Sequence, residues 1–182
     1  MPSKSADLVI DATRDWLERA VIGLNLCPFA KAVHVKRQIR YVVDLAQTTD
    51  ALLETLEKEL SFLVAADPAQ IDTTLLIVPE MFGDFLDFFF FLAGAEALLK
   101  RMKLQGTIQI ASFHPRYEFA GSEAEDIANY TNRSPYPTLH LLREASLDRA
   151  VAAFPDAADI YERNVSTLER LGHDGWEALW KK

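Results

Sequence analysis

The sequence predicts an α/β fold: a mixed, mostly parallel sheet of about four strands with flanking helices. Three observations carry this. Amphipathic stretches of helical period alternate with short β-branched runs along the chain. One run, residues 73–78, is apolar on both sides, as a strand covered on both faces must be. The length of 182 residues, with 49% apolar and 25% charged residues, suits a single α/β domain over one core.

Taken in order, Leu8, Val9, Ala12, Trp16, Leu17, Ala20 and Val21 recur at helical spacing, and Gly23 follows as a stop. Residues 24–36 read as turn-like. Ile39, Tyr41, Val43 and Leu45 alternate as a half-buried strand would, and Leu52, Leu53, Leu56, Leu60, Leu63 and Val64 form a second helical stripe. The run at 73–78 is the expected central strand, ended by Pro79. Asp84 is placed to cap a third helix reaching Leu104, and Gly106 breaks it before a strand at 107–114. Residues 138–143 read as a fourth strand. From Ser146 onward the chain reads as helical, with Pro155 opening one segment and Gly172 interrupting another. If the third and fourth strands pair directly they must be antiparallel, which leaves a sheet with a parallel part and one reversed strand.

The run Phe88-Phe89-Phe90-Phe91 raises the question of a membrane. Asp87 and Glu96 leave only eight uncharged residues between them, against the roughly 20 a spanning helix needs. A buried core helix is expected instead. Consecutive helical positions lie about 100° apart, so four rings cannot all face one sheet, and a homodimer contact through Phe88, Phe89, Phe90 and Phe91 is the alternative.

Composition excludes several function classes. A formal charge of −8 disfavours a broad nucleic-acid surface, which needs many cations to displace counterions from phosphates. The single cysteine, Cys27, allows no intramolecular disulfide, and the first residues lack the basic-then-apolar pattern of a signal peptide; a cytoplasmic location is the expectation.

The connection between His114 and Thr138 contains Pro115, Gly121, Pro135 and Pro137 and no periodic segment. Loops beyond about 12 to 15 residues in a compact domain are usually functional or disordered, and this one carries Arg116, Tyr117, Asn129, Asn132, Arg133 and Ser134. Antiparallel pairing of its flanking strands brings His114 and His140 to one end of the sheet, near the strand exits where open α/β sheets hold ligands. Residues 129–143 contain Arg133, His140 and Arg143 and no acid, a local excess of donors that suits a phosphate or carboxylate. The site so assembled is a pocket for a small anionic metabolite. Arg116 and Arg133 hold the anion, His114 or His140 exchanges protons, Asn129 and Asn132 orient the ligand, and Tyr117 and Ser134 are further ligand-binding candidates. The plainer readings are a histidine on the solvated face of a strand and arginines paired with Glu118, Glu123, Glu125 or Asp126.

Cys27 has two readings as well, a thiol nucleophile with one of the histidines as base, or a small buried apolar residue. His114, His140 and Asp126 could form a two-histidine, one-carboxylate metal set, yet no compact ligand motif occurs and no metal is assigned. The sequence holds neither a glycine-rich phosphate loop nor a Gly-x-Ser-x-Gly elbow, and the cofactor is left unassigned. An interaction module with no concave pocket is the non-enzymatic alternative.

Three strings carry a family resemblance: Asn25-Leu26-Cys27-Pro28-Phe29-Ala30, the stretch from Ala111 to Gly121 (ASFHPRYEFAG), and the stretch from Asn129 to Glu144 (NYTNRSPYPTLHLLRE). They resemble the signatures of the bacterial domain-of-unknown-function family 1415, and the likeness covers nearly the whole chain. The resemblance implies a bacterial stand-alone domain and no particular reaction, cofactor or catalytic residue. The phenylalanine run is not among these strings.

Overall fold

The computed structural model describes residues 5–153 and 159–181. The chain begins with α1 (Ala6–Trp16), which widens without a break into a π-helical segment (Leu17–Ile22). Gly23 follows as its cap, at a position where a Cβ would stand 2.2 Å from the carbonyl oxygen of Arg19. The stretch expected to be a turn contains α2 (Ala30–Val35), whose six residues are too few to show a periodic stripe. There follow β1 (Ile39–Val43), α3 (Thr49–Ala65), β2 (Thr73–Ile77), α4 (Phe85–Arg101) and β3 (Ile108–Phe113). After them come a 3-10 segment (Ile127–Asn132), β4 (Thr138–Arg143), α5 (Glu144–Ala153) and α6 (Ile160–Ala178). Two caps form as side-chain chemistry predicts: the hydroxyl oxygen of Thr48 accepts from the Ala51 N–H, and Asp84 Oδ1 accepts from the Leu86 N–H at 2.8 Å. Gly172 interrupts α6 at φ 67°, and Pro155 lies outside the described residues.

The strand order is β1-β2-β4-β3. β1 and β2 are parallel, while β4 lies antiparallel to both β2 and β3. The sheet is therefore mixed, and the expectation of a mostly parallel one is corrected. A single reversed strand, inserted between two that run the same way, turns both of its own pairings antiparallel.

Alternation along the strands sorts two cores. On one face Leu76, Leu139, Leu141 and Ile108 pack with α3 and α4 through Leu56, Leu60, Phe88 and Leu98. On the other, Leu75 and Ile77 meet Val9 of α1, while Ile39, Tyr41 and Phe113 meet Trp16, Leu17 and Val21. The phenylalanine helix is only half buried. Phe88 and Phe91 are inside, whereas Phe89 and Phe90 are 54% and 70% exposed. The expected burial fails for these two because their positions point away from the sheet and no described helix covers them. No helix among the described residues is long and apolar enough to cross a membrane.

Candidate functional site: a cavity on the sheet face beneath the first helix

The residues singled out from sequence separate into two groups. The register pairs Phe113 with Thr138, so His114 stands one step beyond, opposite Pro137 and three residues from His140. An odd offset puts the two histidines on opposite faces. His114 stands past the end of β3 whereas His140 lies mid-strand, opposite Leu75 and Ala111, so the two have no common pocket and cannot share a metal ion.

His114 is buried against α4, stacked on Phe88 with ring centroids 5.4 Å apart. Its Nδ1 accepts from the Arg116 N–H at 2.9 Å, so Nε2 carries the proton and donates to the Phe82 carbonyl at 2.8 Å. Both nitrogens are used, and burial lowers its pKa from the ordinary value. The loop residues around it are similarly committed. Asn129, fully buried, accepts at Oδ1 from the Phe119 N–H and the Ser122 hydroxyl and donates to the Glu123 carbonyl. Asn132 donates to the Ser112 carbonyl, and Ser134 donates to the Tyr136 carbonyl at 2.6 Å. Tyr117 packs on Phe85 and Phe119. Arg116 bonds the Gly83 carbonyl and lies 3.5 Å from Asp84. Arg133 lies over the Tyr130 ring and donates to the Tyr117 and Ala124 carbonyls. These groups knit the long loop to itself, to the end of β3 and to the start of α4, and most of the acceptors are backbone carbonyls, which no side-chain pattern announces.

His140 lies on the other face, where a cavity of about 720 Å³ opens between the sheet, the π-helical segment, α2 and α5. Its walls are apolar: Trp16, Leu17, Val21, Ile39, Leu75 and Phe113 among them. Trp16 stands edge-on to Phe113 at 5.2 Å, held by a 2.8 Å hydrogen bond from its Nε1 to the Arg133 carbonyl. The π-helical turn keeps Leu17, Ala20 and Val21 on this face. Such insertions frequently sit at functional sites.

The tautomer of His140 follows from its neighbour. Thr73 Oγ1 lies 2.7 Å from His140 Nε2 and 2.7 Å from the Leu141 carbonyl oxygen. That carbonyl can only accept, so the single hydroxyl proton goes to it, and Nε2 must be the donor to Thr73. Nδ1 is left with its lone pair free of any donor among the described residues. Burial among apolar walls pushes the His140 pKa down to about 4, so the ring is neutral at physiological pH and offers an acceptor.

Cys27 lines the same cavity. Burial pushes its thiol pKa up, and the nearby N–H groups of Phe29 and Ala30 offset that only in part. A neutral thiol and a weakly basic histidine do not form a thiolate–imidazolium pair. Among the described residues, no three of His, Cys, Asp and Glu gather as a metal site would require.

The chain belongs to the DUF1415 family. The family model, described as a protein of unknown function, matches residues 8–178. No curated protein and no solved structure matches the chain. In this DUF1415 protein the three strings that carry the resemblance all reach the cavity: the first through Cys27 and Pro28, the second through Ala111 and Phe113, the third through His140 and Leu142. Sequence reasoning missed Thr73 and Trp16 as parts of a site. Thr73 had a usable signal, a hydroxyl at the start of an otherwise apolar strand.

Proposed function

We propose that the protein binds a small, largely apolar molecule in the cavity over β2, β4 and β3, and that a hydroxyl or N–H of that molecule donates to His140 Nδ1. One observation carries this reading: a neutral histidine with its tautomer set by Thr73 stands among apolar walls in a cavity of about 720 Å³. That size lies within the usual 300 to 1,000 Å³ of ligand sites, which combine apolar lining with a few placed polar groups. A histidine of pKa about 4 is a poor general base at neutral pH but a good acceptor. The reading is therefore recognition, and it is favoured over thiol catalysis because Cys27 keeps its proton.

The test uses 1-octanol as a minimal probe, apolar with one donor. In ¹⁵N-histidine spectra of the full chain, millimolar octanol should move the Nδ1 resonance of His140 and leave that of His114 in place. At ten times its Kd it should add about 1.4 kcal/mol to stability. Ala111→Phe puts a ring into the cavity and should abolish both effects. Octanol that leaves His140 unmoved refutes the reading.

A further inference from the structure

The charged residues that border the cavity are not scattered around it. Lys36, Arg143 and Arg149 line it with only one acid, Asp72, a balance of three positive groups to one negative in a chain of net charge −8. All four sit at one end of the sheet. The register aligns Ile39 with Thr73 and Thr73 with Leu142, so Gln38, Asp72 and Arg143 are the next residues outward, with Lys36 just before them and Arg149 in α5 just after. Arg143 is consumed by the fold: it donates to the carbonyls of Leu63, Ala66 and Ile71, and its Nε lies 3.7 Å from Asp72. Ser146 donates to Asp72 at 2.6 Å and accepts from Arg149 at 3.0 Å, which turns the guanidinium toward this end without neutralising it. Neither Lys36 nor Arg149 forms an ion pair among the described residues.

Resting on the binding function proposed above, we infer that the ligand is amphipathic and carries an anionic head, a carboxylate or a phosphate, held by Lys36 and Arg149 while its apolar body runs toward His140. Three residues of strand separate Arg143 from His140, roughly 10 Å at about 3.3 Å per residue, so the cavity has a charged end and a single acceptor deep within it. Guanidinium and ammonium groups bind both kinds of head, the guanidinium bidentately. Contact with a low-dielectric wall strengthens that attraction over its value in water. The overall negative charge of the chain works against anion binding, so a measured preference for an anion must come from these local groups.

Octanol, octanoate and octyl phosphate share one tail and differ in the head. Titrated at pH 7.5 and low salt, octanoate or octyl phosphate, or both, should bind at least tenfold tighter than octanol. The stronger of the two identifies the head. In Lys36→Gln/Arg149→Gln the advantage should vanish while octanol affinity holds. Octanol binding as tightly as both anions in the wild type would overturn the anionic head and leave the cavity function standing. An anion advantage that survives in the double variant would also overturn it. Failure of all three probes to bind would instead remove the cavity function itself.

Discussion

Thr73→Val is the sharpest perturbation of the site, because it replaces one hydroxyl by a methyl of nearly the same shape at a position only 4% exposed. Two hydrogen bonds go with the hydroxyl, the one to the Leu141 carbonyl and the one received from His140 Nε2–H. The lost bond to the carbonyl is worth about 0.5 to 1.5 kcal/mol net, and stranding the buried Nε2–H costs about 1 to 3 kcal/mol. The extra buried methyl returns about 0.8 kcal/mol. The variant should therefore lose about 1 to 4 kcal/mol, a fall in Tm of roughly 2 to 15 °C for a chain of this size. Urea unfolding at pH 7.5 measures the first quantity. Histidine ¹⁵N spectra measure the second consequence, since His140 should no longer be confined to the Nε2–H tautomer. Thr73→Ser, which keeps the hydroxyl, should preserve the tautomer and lose only about 0.8 kcal/mol. A Thr73→Val protein within 0.5 kcal/mol of wild type, with His140 still wholly Nε2-protonated, would refute the derivation.

Acid should destabilise the protein before its carboxylates titrate. His140 binds its proton near pH 4 when folded and near 6.5 when unfolded, so the unfolded chain binds more protons between those values and stability falls as pH drops through that window. The ceiling is about 3 kcal/mol, reduced by whatever water the cavity admits; His114, lowered in the same direction, adds to it, and His140→Gln should flatten the urea-midpoint profile between pH 7 and 5. Phe88→Ala should cost about 3 to 5 kcal/mol, whereas Phe90→Ser should stay within about 0.5 kcal/mol, because the first ring is fully buried and the second is 70% exposed; thermal unfolding of the pair checks this. Cys27 should react slowly with a thiol reagent at pH 7.5 in the folded protein and rapidly in urea, since its raised pKa leaves little thiolate.

All four strands and the longer helices were legible because each carries its own periodicity: the stripe from Leu52 to Val64, the two-sided apolar run at 73–78, the capped helix after Asp84. What the sequence did not disclose was pairing. Nothing local distinguishes β4 placed beside β3 at an edge from β4 inserted between β3 and β2, since the choice is made by which faces the helices cover. The same gap misplaced the candidate site. The antiparallel pair that was expected forms, but bringing His114 and His140 to one pocket required the register, which leaves His140 mid-strand opposite Ala111 and, by a single residue of parity, sends His114 to the α4 side. The arginines misled for a different reason: Arg116 and Arg133 spend their donors on Gly83, Tyr117 and Ala124 carbonyls, which every residue possesses and no composition count detects.

The insertion of β4 has a consequence for the order in which the molecule can be made. β2 emerges from the ribosome well before residues 138–143, yet its second neighbour is β4, and β3 has no neighbour in the sheet until β4 arrives. Until then the inner edges of β2 and β3 have unpaired backbone groups, and the half-built sheet is open along its middle instead of its rim. Closing it joins Thr73 to Leu142 across α4, β3 and the long loop, a long-range pairing of the kind that slows folding. The nascent chain is thus most exposed to mispairing over the interval from the completion of β3 to the arrival of Arg143, and a chaperone that shelters it would have to act there.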